Sequence, residues 1–149
     1  MVIVERATSQ DFEHICVLDE TVYGGPSRRG IIGPAVAASR CAVARVDGIV
    51  RGYMILRPDF FGHGFVDLLI VHPDFRHRGL ATALIRAAEL DSPTEKLFTS
   101  TNQSNLAAQR LFERLGFMRS GTIDNLDEGD PEIVYLKRLA PSGKTDDEE

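Results

Sequence analysis

The feature that most constrains the fold is a change of hydrophobic period at Gly79. Before it, residues 65–71 are apolar apart from Asp67, which is typical of a strand buried on both faces of a sheet. After it, apolar residues recur at helical spacing, at Leu80, Ala83, Leu84, Ala87 and Ala88. A buried strand followed directly by an amphipathic helix predicts an α/β fold in which helices cover a sheet.

The rest of the chain predicts an alternation of strands and helices. Strands are expected at residues 1–6, 41–46, 49–56, 96–100, 117–125 and 132–139. Helices are expected after a capping box that starts at Thr8 and after Ser104 as N-cap, whereas the Gly- and Pro-rich residues 24–37 predict a broken helix or a mobile loop. Asp47-Gly48 predicts a two-residue hairpin turn, because both positions accept φ > 0. Two strand–helix–strand units in the second half favour a partly parallel sheet.

Length and charge place the chain among ordinary globular domains. We expect one domain over residues 1–140 of the 149, followed by an acidic, disordered tail at 141–149. The formal net charge is −5, and the last six residues contribute one positive and four negative charges to it. A general nucleic-acid-binding protein needs a basic face, so this balance argues against nucleic acid as a partner.

Apolar runs and cysteines indicate the compartment. No uncharged stretch reaches the roughly 18 residues of a membrane-spanning helix, and the charged start of the chain does not resemble a signal peptide. Cys16 and Cys41 lack the closely spaced ligand pairs of a zinc site, and buried free thiols are favoured over a disulfide. We therefore expect a cytoplasmic protein that uses neither a membrane nor a metal.

The connection between the buried strand and the helix, residues 71–81, has the properties of a phosphate site. The first N–H groups of a helix have no internal partner, and the helix dipole adds positive charge there. Gly79 allows a ligand to approach the backbone, and Arg76 and Arg78 add charged donors. These properties alone also fit an ordinary strand–helix turn with two surface arginines. The segment is neither a Walker loop nor a dinucleotide-binding glycine loop.

Arg76-His77-Arg78-Gly79-Leu80-Ala81 resembles the acetyl-CoA-binding motif R/Q-x-x-G-x-G/A of the GCN5-related N-acetyltransferases, the GNAT family. Leu69-Ile70-Val71-His72-Pro73 resembles the family's fourth strand, and the segment from Asn105 to Phe117 resembles its later helix–strand motif. With the order of elements, the resemblance spans residues 2–139. It implies a GNAT fold, with a mixed, mostly antiparallel sheet of about seven strands that splays between strands 4 and 5 and is flanked by about four helices.

The resemblance also implies a place for acetyl-CoA as co-substrate. In this family the pantetheine arm lies in the gap of the sheet, which implies contacts with Leu69, Ile70 and Val71. The pyrophosphate is then expected on the backbone amides of Arg76, His77, Arg78, Gly79, Leu80, Ala81 and Thr82. Asn105 matches a position that commonly contacts the cofactor, and Phe112 matches a position close to the CoA sulfur.

Asp67 is the candidate general base. Side chains alternate along a strand, so Asp67 shares a face with Leu69 and Val71. In GNAT relatives a carboxylate or histidine at this position often acts on the amine, directly or through water. Apolar sequence neighbours predict a desolvated carboxylate, a state that favours proton uptake. The alternative is a structural aspartate bonded to the backbone or to an arginine; His63, His72 and His77 are weaker candidates.

The general acid is where the sequence departs from the family pattern. Relatives commonly carry Tyr at the position of Phe112, which has no proton to give. Tyr135 on the last strand is a distant substitute. A thiol with a pKa of about 8.5 is already a tolerable leaving group, so we favour departure of the thiolate without a dedicated acid. A weak or inactive enzyme is the remaining explanation.

Two segments are expected to border the amine acceptor by analogy with the family. Residues 124–132 contain five acidic residues and no basic one, which favours a cationic amine. Arg28 and Arg29 in the segment 23–34 favour an anionic group instead. The alternatives are a solvated turn for residues 124–132 and an idle loop for residues 23–34. A homodimer is expected only because dimers are common in the family.

Three functions follow. The leading one is an N-acetyltransferase that moves an acetyl group from acetyl-CoA to a primary amine of a small molecule or peptide. The alternative is a catalytically weak or inactive acyl-CoA-binding or sensing protein on the same fold, which Phe112 favours. The last is an unrelated α/β protein with a phosphate ligand, in which the second motif is a coincidence.

Overall fold

The computed structural model describes residues 1–140, so the predicted acidic tail at 141–149 lies outside the described residues. The strands are β1 (Val2–Arg6), β2 (Cys41–Val46), β3 (Ile49–Phe60), β4 (His63–Val71), β5 (Lys96–Asn102), β6 (Met118–Ile123) and β7 (Glu132–Arg138). The helices are α1 (Phe12–Tyr23), α2 (Arg29–Ala37), α3 (Leu80–Asp91) and α4 (Leu106–Arg114). Within residues 1–140, no helix has the length and apolar character needed to cross a membrane. The order of these elements agrees with the order predicted from the sequence.

The chain divides into two compact units. The first consists of Met1–Arg57 and Val66–Ala88. The second contains Pro58–Phe65 and the residues from Glu89 onward. The first unit therefore holds β1, β2, most of β3 and β4, and helices α1, α2 and most of α3. The second holds the connection between β3 and β4, together with β5, α4, β6 and β7.

In the first unit the strands follow the order β1-β2-β3-β4. β1 pairs antiparallel with β2, and β2 pairs antiparallel with β3. The turn residues between β2 and β3, Asp47 and Gly48, have φ of 52° and 82°. Left-handed residues at both positions match the twist of the flanking strands, so the hairpin predicted from Asp-Gly is confirmed.

A second tight turn, between β3 and β4, is absent from the sequence prediction. β3 continues to Phe60, four residues past its predicted end, and β4 begins at His63, two residues before its predicted start. The turn residues Phe61 and Gly62 have φ of 51° and 83°. Phenylalanine is sterically disfavoured at a left-handed position, so the local sequence carries no turn signal.

Helices α1 and α2 pack against the sheet of the first unit. Their shared core consists of Ala7, Ile15, Cys16, Leu18, Ile32, Ala35, Val36, Cys41, Val43, Val50, Tyr53 and Ile55. Leu68 and Ile70 of β4 pack against the same cluster. Burial of Ile32, Ala35 and Val36 explains why Arg29–Ala37 forms a regular helix, with Pro34 inside it, where the sequence predicted a broken helix or mobile loop.

Helix α3 packs closely on β3 at Gly52. A Cβ atom at Gly52 would lie 3.1 Å from the carbonyl oxygen of Ile70 and 3.3 Å from Cδ1 of Leu84. Leu84 and Ile85 of α3 are fully buried. The absence of a side chain at residue 52 therefore lets α3 approach the sheet, which holds the start of the helix next to the end of β4.

In the second unit the strand order is β5-β7-β6, and β7 pairs antiparallel with both neighbours. β5 and β6 therefore run in the same direction with β7 between them, so the second predicted strand–helix–strand unit does not form a parallel pair. The core of this unit includes Leu97, Phe112, Phe117, Ile133 and Tyr135.

Helix α4 begins one residue later than predicted. Its N-cap is Asn105, whose Oδ1 accepts a hydrogen bond from the N–H of Ala108 at 3.1 Å. Ser104, the predicted cap, donates its hydroxyl to Asp130 at 2.6 Å. Gly116 has φ of 97° and follows the end of the helix as predicted.

A carboxylate is fully buried in the first unit. Asp19 on α1 accepts hydrogen bonds from the Tyr53 hydroxyl at 2.6 Å and from Arg28 Nη2 at 2.6 Å. The Nε and backbone N–H of Arg28 also donate to it, at 3.2 and 3.1 Å. Burial opposes ionisation of Asp19, but the hydrogen bonds from Arg28 and Tyr53 outweigh burial and hold its pKa below the ordinary 3.8. Burial, followed by the contact with Asp19, raises the pKa of Tyr53.

We expect Arg28→Met to destabilise the protein by about 3 kcal/mol at pH 7, because it leaves a buried carboxylate without its cation. A lowered pKa in the folded state means that this stabilisation is present above pH 3.8 and is lost as the pH falls through the folded pKa below that value. Urea unfolding at pH 7 and pH 3 measures both effects, and the gap between wild type and variant should narrow at pH 3.

The matched control is Arg29→Met, which removes an ion pair between the exposed side chains of Arg29 and Glu13. A smaller loss of stability is expected for it because solvent screens that pair. Equal losses for the two variants would contradict the role assigned to burial.

Candidate functional site

The end of β4 leads directly into the predicted phosphate turn. Leu69, Ile70 and Val71 are half-buried. Because Leu68 and Ile70 pack against the α1–α2 cluster, alternation places Asp67, Leu69 and Val71 on the opposite face. These strand residues are the ones for which the family resemblance implies contact with the pantetheine arm.

A short 3-10 turn over Pro73–Phe75 connects β4 to the glycine-containing segment. His72 caps this turn, since its Nδ1 accepts a hydrogen bond from the N–H of Asp74 at 3.1 Å. The backbone N–H of His72 donates to the carbonyl oxygen of Arg51 on β3 at 2.8 Å. His72 therefore holds the turn in place, a structural role that the sequence did not predict for it.

Two residues of the turn have a left-handed backbone. φ is 64° at His77 and 84° at Gly79, with Arg78 between them. Alternation of right-handed and left-handed residues directs successive N–H groups to one side and forms a concave anion-binding surface. No atom lies within 4 Å of the position that a Cβ at Gly79 would occupy, so the turn is open on that side.

The N-terminus of α3 adds further donors to this turn. The bond from the Ala83 N–H to the Gly79 carbonyl, 3.0 Å long, is at the start of the helix. The N–H groups of Leu80, Ala81 and Thr82 precede it and have no carbonyl partner within the helix. Leu80 is 1% exposed, so it contributes its backbone and not its side chain. Together with the helix dipole, these donors suit a phosphate or pyrophosphate.

The turn is positively charged. Arg76, His77 and Arg78 are exposed. Within residues 1–140, Arg76 and Arg78 form no ion pair with a carboxylate. Two guanidinium groups that protein carboxylates do not neutralise are available to an anionic ligand.

Asp67, the candidate base, is less buried than its apolar sequence neighbours predict. Its side chain is 26% exposed, and its Oδ2 lies 3.8 Å from Nη1 of Arg57. The arginine neighbour is a feature of the structural alternative, and the exposure of the side chain is greater than the desolvated carboxylate expected for a base. The role of Asp67 as base stays a prediction.

Two further predicted cofactor residues belong to the second unit. Asn105 is exposed, and its Oδ1 is used to cap α4. Phe112 is 3% exposed, and its ring centroid lies 5.9 Å from that of Phe117 and 5.4 Å from that of Tyr135. Phe112 is therefore a core residue of this unit, and cofactor contact by Asn105 or Phe112 stays a prediction.

Tyr135, the substitute considered for the missing acid, is fully buried. Its hydroxyl donates to Oε2 of Glu113 at 3.2 Å. Burial, together with the negative charge of Glu113, raises the pKa of Tyr135. A buried hydroxyl that gives up its proton less readily is poorly suited to protonate a thiolate.

The two arginines expected near the acceptor are paired within the first unit. Arg28 binds the buried Asp19, and Nη2 of Arg29 lies 2.8 Å from Oε1 of Glu13. These ion pairs neutralise both guanidinium groups. The support for an anionic acceptor, which rested on them, is therefore lost.

The acidic segment 124–132 is largely bonded within the second unit. Asp124 accepts from Thr122, Asp127 from Asn102, Asp130 from Ser104 and Glu132 from Ser100. These bonds attach the connection between β6 and β7 to β5 and to the start of α4. These bonds support the interpretation of residues 124–132 as a structural turn. They weaken the interpretation that these carboxylates attract a cationic acceptor.

Metal ligands and cysteines add nothing to this site. In the part of the chain that the structure describes, no group of three or more His, Cys, Asp or Glu side chains is arranged to hold a metal ion. Cys16 and Cys41 are free and buried. Burial, with a smaller contribution from Asp11, raises the pKa of Cys41 to about 12, so its thiol is unreactive.

Comparison with known proteins decides the family. Residues 10–117, more than half of the chain, match the Acetyltransferase (GNAT) family. The chain belongs to the GNAT acetyltransferase family. A GNAT-family acetyltransferase from Bacillus cereus shares 38% of its sequence, covers 95% of this chain and 99% of its own, and superimposes with a TM-score of 0.91.

Two further similarities are more limited. The ribosomal-protein-S18-alanine N-acetyltransferase of Escherichia coli is 18% identical, with 97% of each chain covered and a TM-score of 0.81, a likeness of fold alone. Mycothiol acetyltransferase from Mycolicibacterium vanbaalenii is 46% identical over 50 residues, which are 34% of this chain. The chain spans 17% of the length of that curated relative.

These comparisons confirm the GNAT resemblance and the GNAT fold class inferred from the two motifs. The predicted opening between the fourth and fifth strands and the individual site residues stay predictions. Within the predicted GNAT site, the phosphate turn lies entirely in the first unit. There the end of β4, the left-handed residues and the start of α3 follow one another along the chain.

Sequence reasoning missed the buried group of Asp19, Arg28 and Tyr53. Tyr53 lies 34 positions from Asp19, so no local motif connects them. The available signal is helical spacing, since Asp19 follows Ile15 by four residues and lies on the apolar face of α1.

We expect Gly79→Ala to weaken CoA binding about tenfold or more. A φ of 84° costs a residue with a side chain roughly 1–2 kcal/mol, and relief of that strain alters the N–H concavity. Titration calorimetry with CoA measures the change in affinity.

Gly62→Ala is the matched control for this variant. Gly62 has φ of 83° and, like Gly79, has no atom within 4 Å of an added Cβ. We expect Gly62→Ala to lose about as much stability as Gly79→Ala but to keep its affinity for CoA. Gly62 lies in the turn between β3 and β4 and not in the phosphate turn. An equal loss of CoA affinity in both variants would argue against the turn as the phosphate site.

Proposed function

We propose that this protein is an N-acetyltransferase that moves an acetyl group from acetyl-CoA to a primary amine of a small molecule or peptide. The observation that carries the proposal is the open N–H concavity of residues 76–82, whose arginines form no ion pair within residues 1–140, in a chain of the GNAT family. Acetyl-CoA contains a pyrophosphate group, which is the kind of anion that such a turn binds.

The proposed position of acetyl-CoA uses residues that follow one another along the first unit. The pyrophosphate accepts hydrogen bonds from the backbone of residues 76–82, and Arg76 and Arg78 supply charge. The pantetheine arm follows Leu69–Val71 towards Asp67. Asn105 and Phe112 are proposed as further contacts because they match the second family motif.

The proposed chemistry is a single displacement at the thioester. The amine nitrogen attacks the carbonyl carbon, a C–N bond forms, and the C–S bond breaks with its electron pair going to sulfur. The nitrogen loses one proton, which Asp67 accepts directly or through a water molecule. An exposed fraction of 26% keeps the Asp67 side chain accessible, and the nearby Arg57 guanidinium helps to hold it in position.

The leaving thiolate requires no protein acid in this proposal. Phe112 carries no proton, and the Tyr135 hydroxyl is buried and bonded to Glu113. A thiol with a pKa near 8.5 is a good enough leaving group to depart as thiolate and take a proton from solvent afterwards.

The acceptor is proposed as an amine without a fixed charge preference. A cationic acceptor attracted by residues 124–132 has weaker support, since protein groups already bind most of those carboxylates. The names of the relatives include one small thiol, mycothiol, and one protein, S18, so both acceptor sizes stay within the proposal.

A cytoplasmic location and a homodimer are further parts of the proposal. Two buried, unpaired cysteines agree with a reducing compartment. Analytical ultracentrifugation of the full chain would measure the oligomeric state.

A second candidate function is a weak or inactive acyl-CoA-binding or sensing protein. The observation that favours it is Phe112, a core residue where relatives commonly have Tyr. This candidate binds acetyl-CoA by the same turn and differs only in the absence of transfer to an amine.

We expect the full chain to release free CoA thiol from acetyl-CoA when it is given a suitable member of a panel of amines and peptides. A thiol reagent measures release, and mass spectrometry of the acceptor measures the added acetyl group. Calorimetry with acetyl-CoA is run in parallel. Binding without transfer to any acceptor supports the sensing protein, and no binding rejects both candidates.

We expect Asp67→Asn to lower kcat/KM by about 100-fold at pH 7, since a general base typically contributes 10²- to 10⁴-fold. The deficit should shrink as the pH rises towards the acceptor's own pKa, because the amine then loses its proton without help. A purely structural role gives a deficit that does not change with pH.

Asp47→Asn is the control for this charge change. Asp47 is exposed and lies at a left-handed position that asparagine tolerates. Unchanged acetyl transfer is expected for it. Wild-type rates for Asp67→Asn across the pH range would remove Asp67 as the base.

A further inference from the structure

The sheet of the second unit has two faces with different surroundings. Helix α4 packs on the face of Tyr135, whose ring lies 5.4 Å from that of Phe112 and whose hydroxyl donates to Glu113. Opposing residues of antiparallel strands share a face, and successive residues alternate between the two faces. The register of β5, β7 and β6 therefore places a second set of residues on the face opposite α4, which we call the open face: Phe98, Ser100, Gly121, Glu132 and Val134.

Glu132 brings a negative charge to the open face that the protein does not neutralise. Its Oε2 accepts from the Ser100 hydroxyl at 2.6 Å, and within residues 1–140 the carboxylate has no other hydrogen bond and no ion pair. Unlike the exposed Asp124 and Asp127 of the same acidic segment, Glu132 lies on a strand and is half-buried.

The serine hydroxyl leaves the charge of Glu132 unchanged. A hydroxyl donates one hydrogen bond, whereas an ionised carboxylate has about four acceptor sites. A half-buried carboxylate is stabilised by a neighbouring positive charge and by further hydrogen bonds. A primary ammonium group supplies both, because it carries one positive charge and three donors.

Aromatic rings lie next to Ser100 on the same face. Phe98 precedes Ser100 by two residues, so their side chains are about 7 Å apart on one side of β5. The Phe98 ring is 5.1 Å from that of Phe60, which stacks on Phe65 at 4.5 Å. Phe61 lies 5.0 Å from Phe60 and is 88% exposed, so this aromatic cluster continues to the surface. Contiguous apolar groups at a surface mark binding sites.

Small side chains leave room beside the carboxylate. Val134 lies between Ser100 on β5 and Gly121 on β6. No atom is found within 4 Å of the position that a Cβ at Gly121 would occupy. A ligand therefore meets no side chain at residue 121 when it approaches this part of the open face.

We propose that the open face binds the acceptor and that the acceptor is an arylalkylamine, a primary amine joined by a short alkyl chain to an aromatic ring. The ammonium group donates to Glu132, and the ring packs on Phe98. This unit occurs in 2-phenylethylamine and at the start of a peptide whose first residue is phenylalanine. The inference deepens the proposed function and rests on it in one respect, that the bound amine is then acetylated.

Acetyl transfer by the full chain to 2-phenylethylamine and to ethylamine tests the aromatic part of the site. Wild type should have a kcat/KM about tenfold or more higher for 2-phenylethylamine, because its ring buries additional apolar surface. Phe98→Ala should reduce that ratio to about threefold or less and leave kcat/KM for ethylamine unchanged. A phenylalanyl and a glycyl peptide, compared in the same way, distinguish a peptide acceptor from a small amine.

Glu132→Gln tests the ammonium part of the site. It keeps an oxygen for the Ser100 hydroxyl but removes the charge, so KM for both amines should rise about tenfold or more while kcat changes less than about twofold. Glu113→Gln is the matched control, since Glu113 also accepts one hydroxyl, from Tyr135, but lies on the α4 face. It should leave both parameters at their wild-type values. Calorimetry with 2-phenylethylamine in the presence of CoA measures the same losses without turnover.

The other outcomes separate the inference from the proposed function. Equal kcat/KM for the two amines in wild type overturns the inference and leaves acetyl transfer intact. A Glu132→Gln loss that lies in kcat alone, or that Glu113→Gln shares, overturns it as well. If wild type does not bind 2-phenylethylamine, the inference fails whatever the transfer assay shows. Binding that depends on Glu132, without transfer to any amine, supports the amine site and rejects the proposed function.

A second substitution covers the case in which Phe98→Ala does not fold. Phe98→Leu keeps most of the apolar volume but lacks the aromatic face. Its preference for 2-phenylethylamine over ethylamine should fall below that of wild type. A preference equal to that of wild type would contradict the packing of the ligand ring on Phe98.

Discussion

The close packing of α3 against β3 is the constraint on which the functional surface of the first unit depends. Gly52 permits it, because any side chain there would meet the Ile70 carbonyl and Leu84. With the helix held at this distance, the chain has only a short connection in which to leave β4 and enter α3. The left-handed residues His77 and Gly79 make that reversal, and the same backbone directs N–H groups towards solvent.

The distribution of paired and unpaired charges distinguishes structural groups from groups available to ligands. Arg28 and Arg29 are neutralised by Asp19 and Glu13, and most carboxylates between residues 124 and 132 bind neighbouring side chains. Around the phosphate turn, in contrast, Arg51, Arg76 and Arg78 form no ion pair within residues 1–140. The net charge of −5 therefore conceals a local positive site, so the overall charge is no argument against a phosphorylated cofactor.

Sequence reasoning succeeded where one local pattern determines the backbone. The Asp47-Gly48 turn, the start of α3 after Gly79 and the end of α4 at Gly116 all follow from residues that accept left-handed φ or from helical spacing. It failed where packing overrides local preference. Phe61 adopts a left-handed φ that its side chain disfavours, and Pro34 lies inside a helix whose apolar side chains are buried.

The sequence by itself determined the family, the order of elements and the turn that suits a phosphate, because motifs and periodicity are local properties of the chain. Only the tertiary structure decided which charges are available. Asp19 meets Tyr53 across 34 positions, Arg51 of β3 and Arg78 of the phosphate turn each contact the Phe75 ring, and Asp67 meets Arg57 from the neighbouring strand. Such contacts decide whether a charged side chain is neutralised by the protein or is available to a ligand. Coulomb energy and hydrogen bonding depend on distance in space and not on separation along the chain.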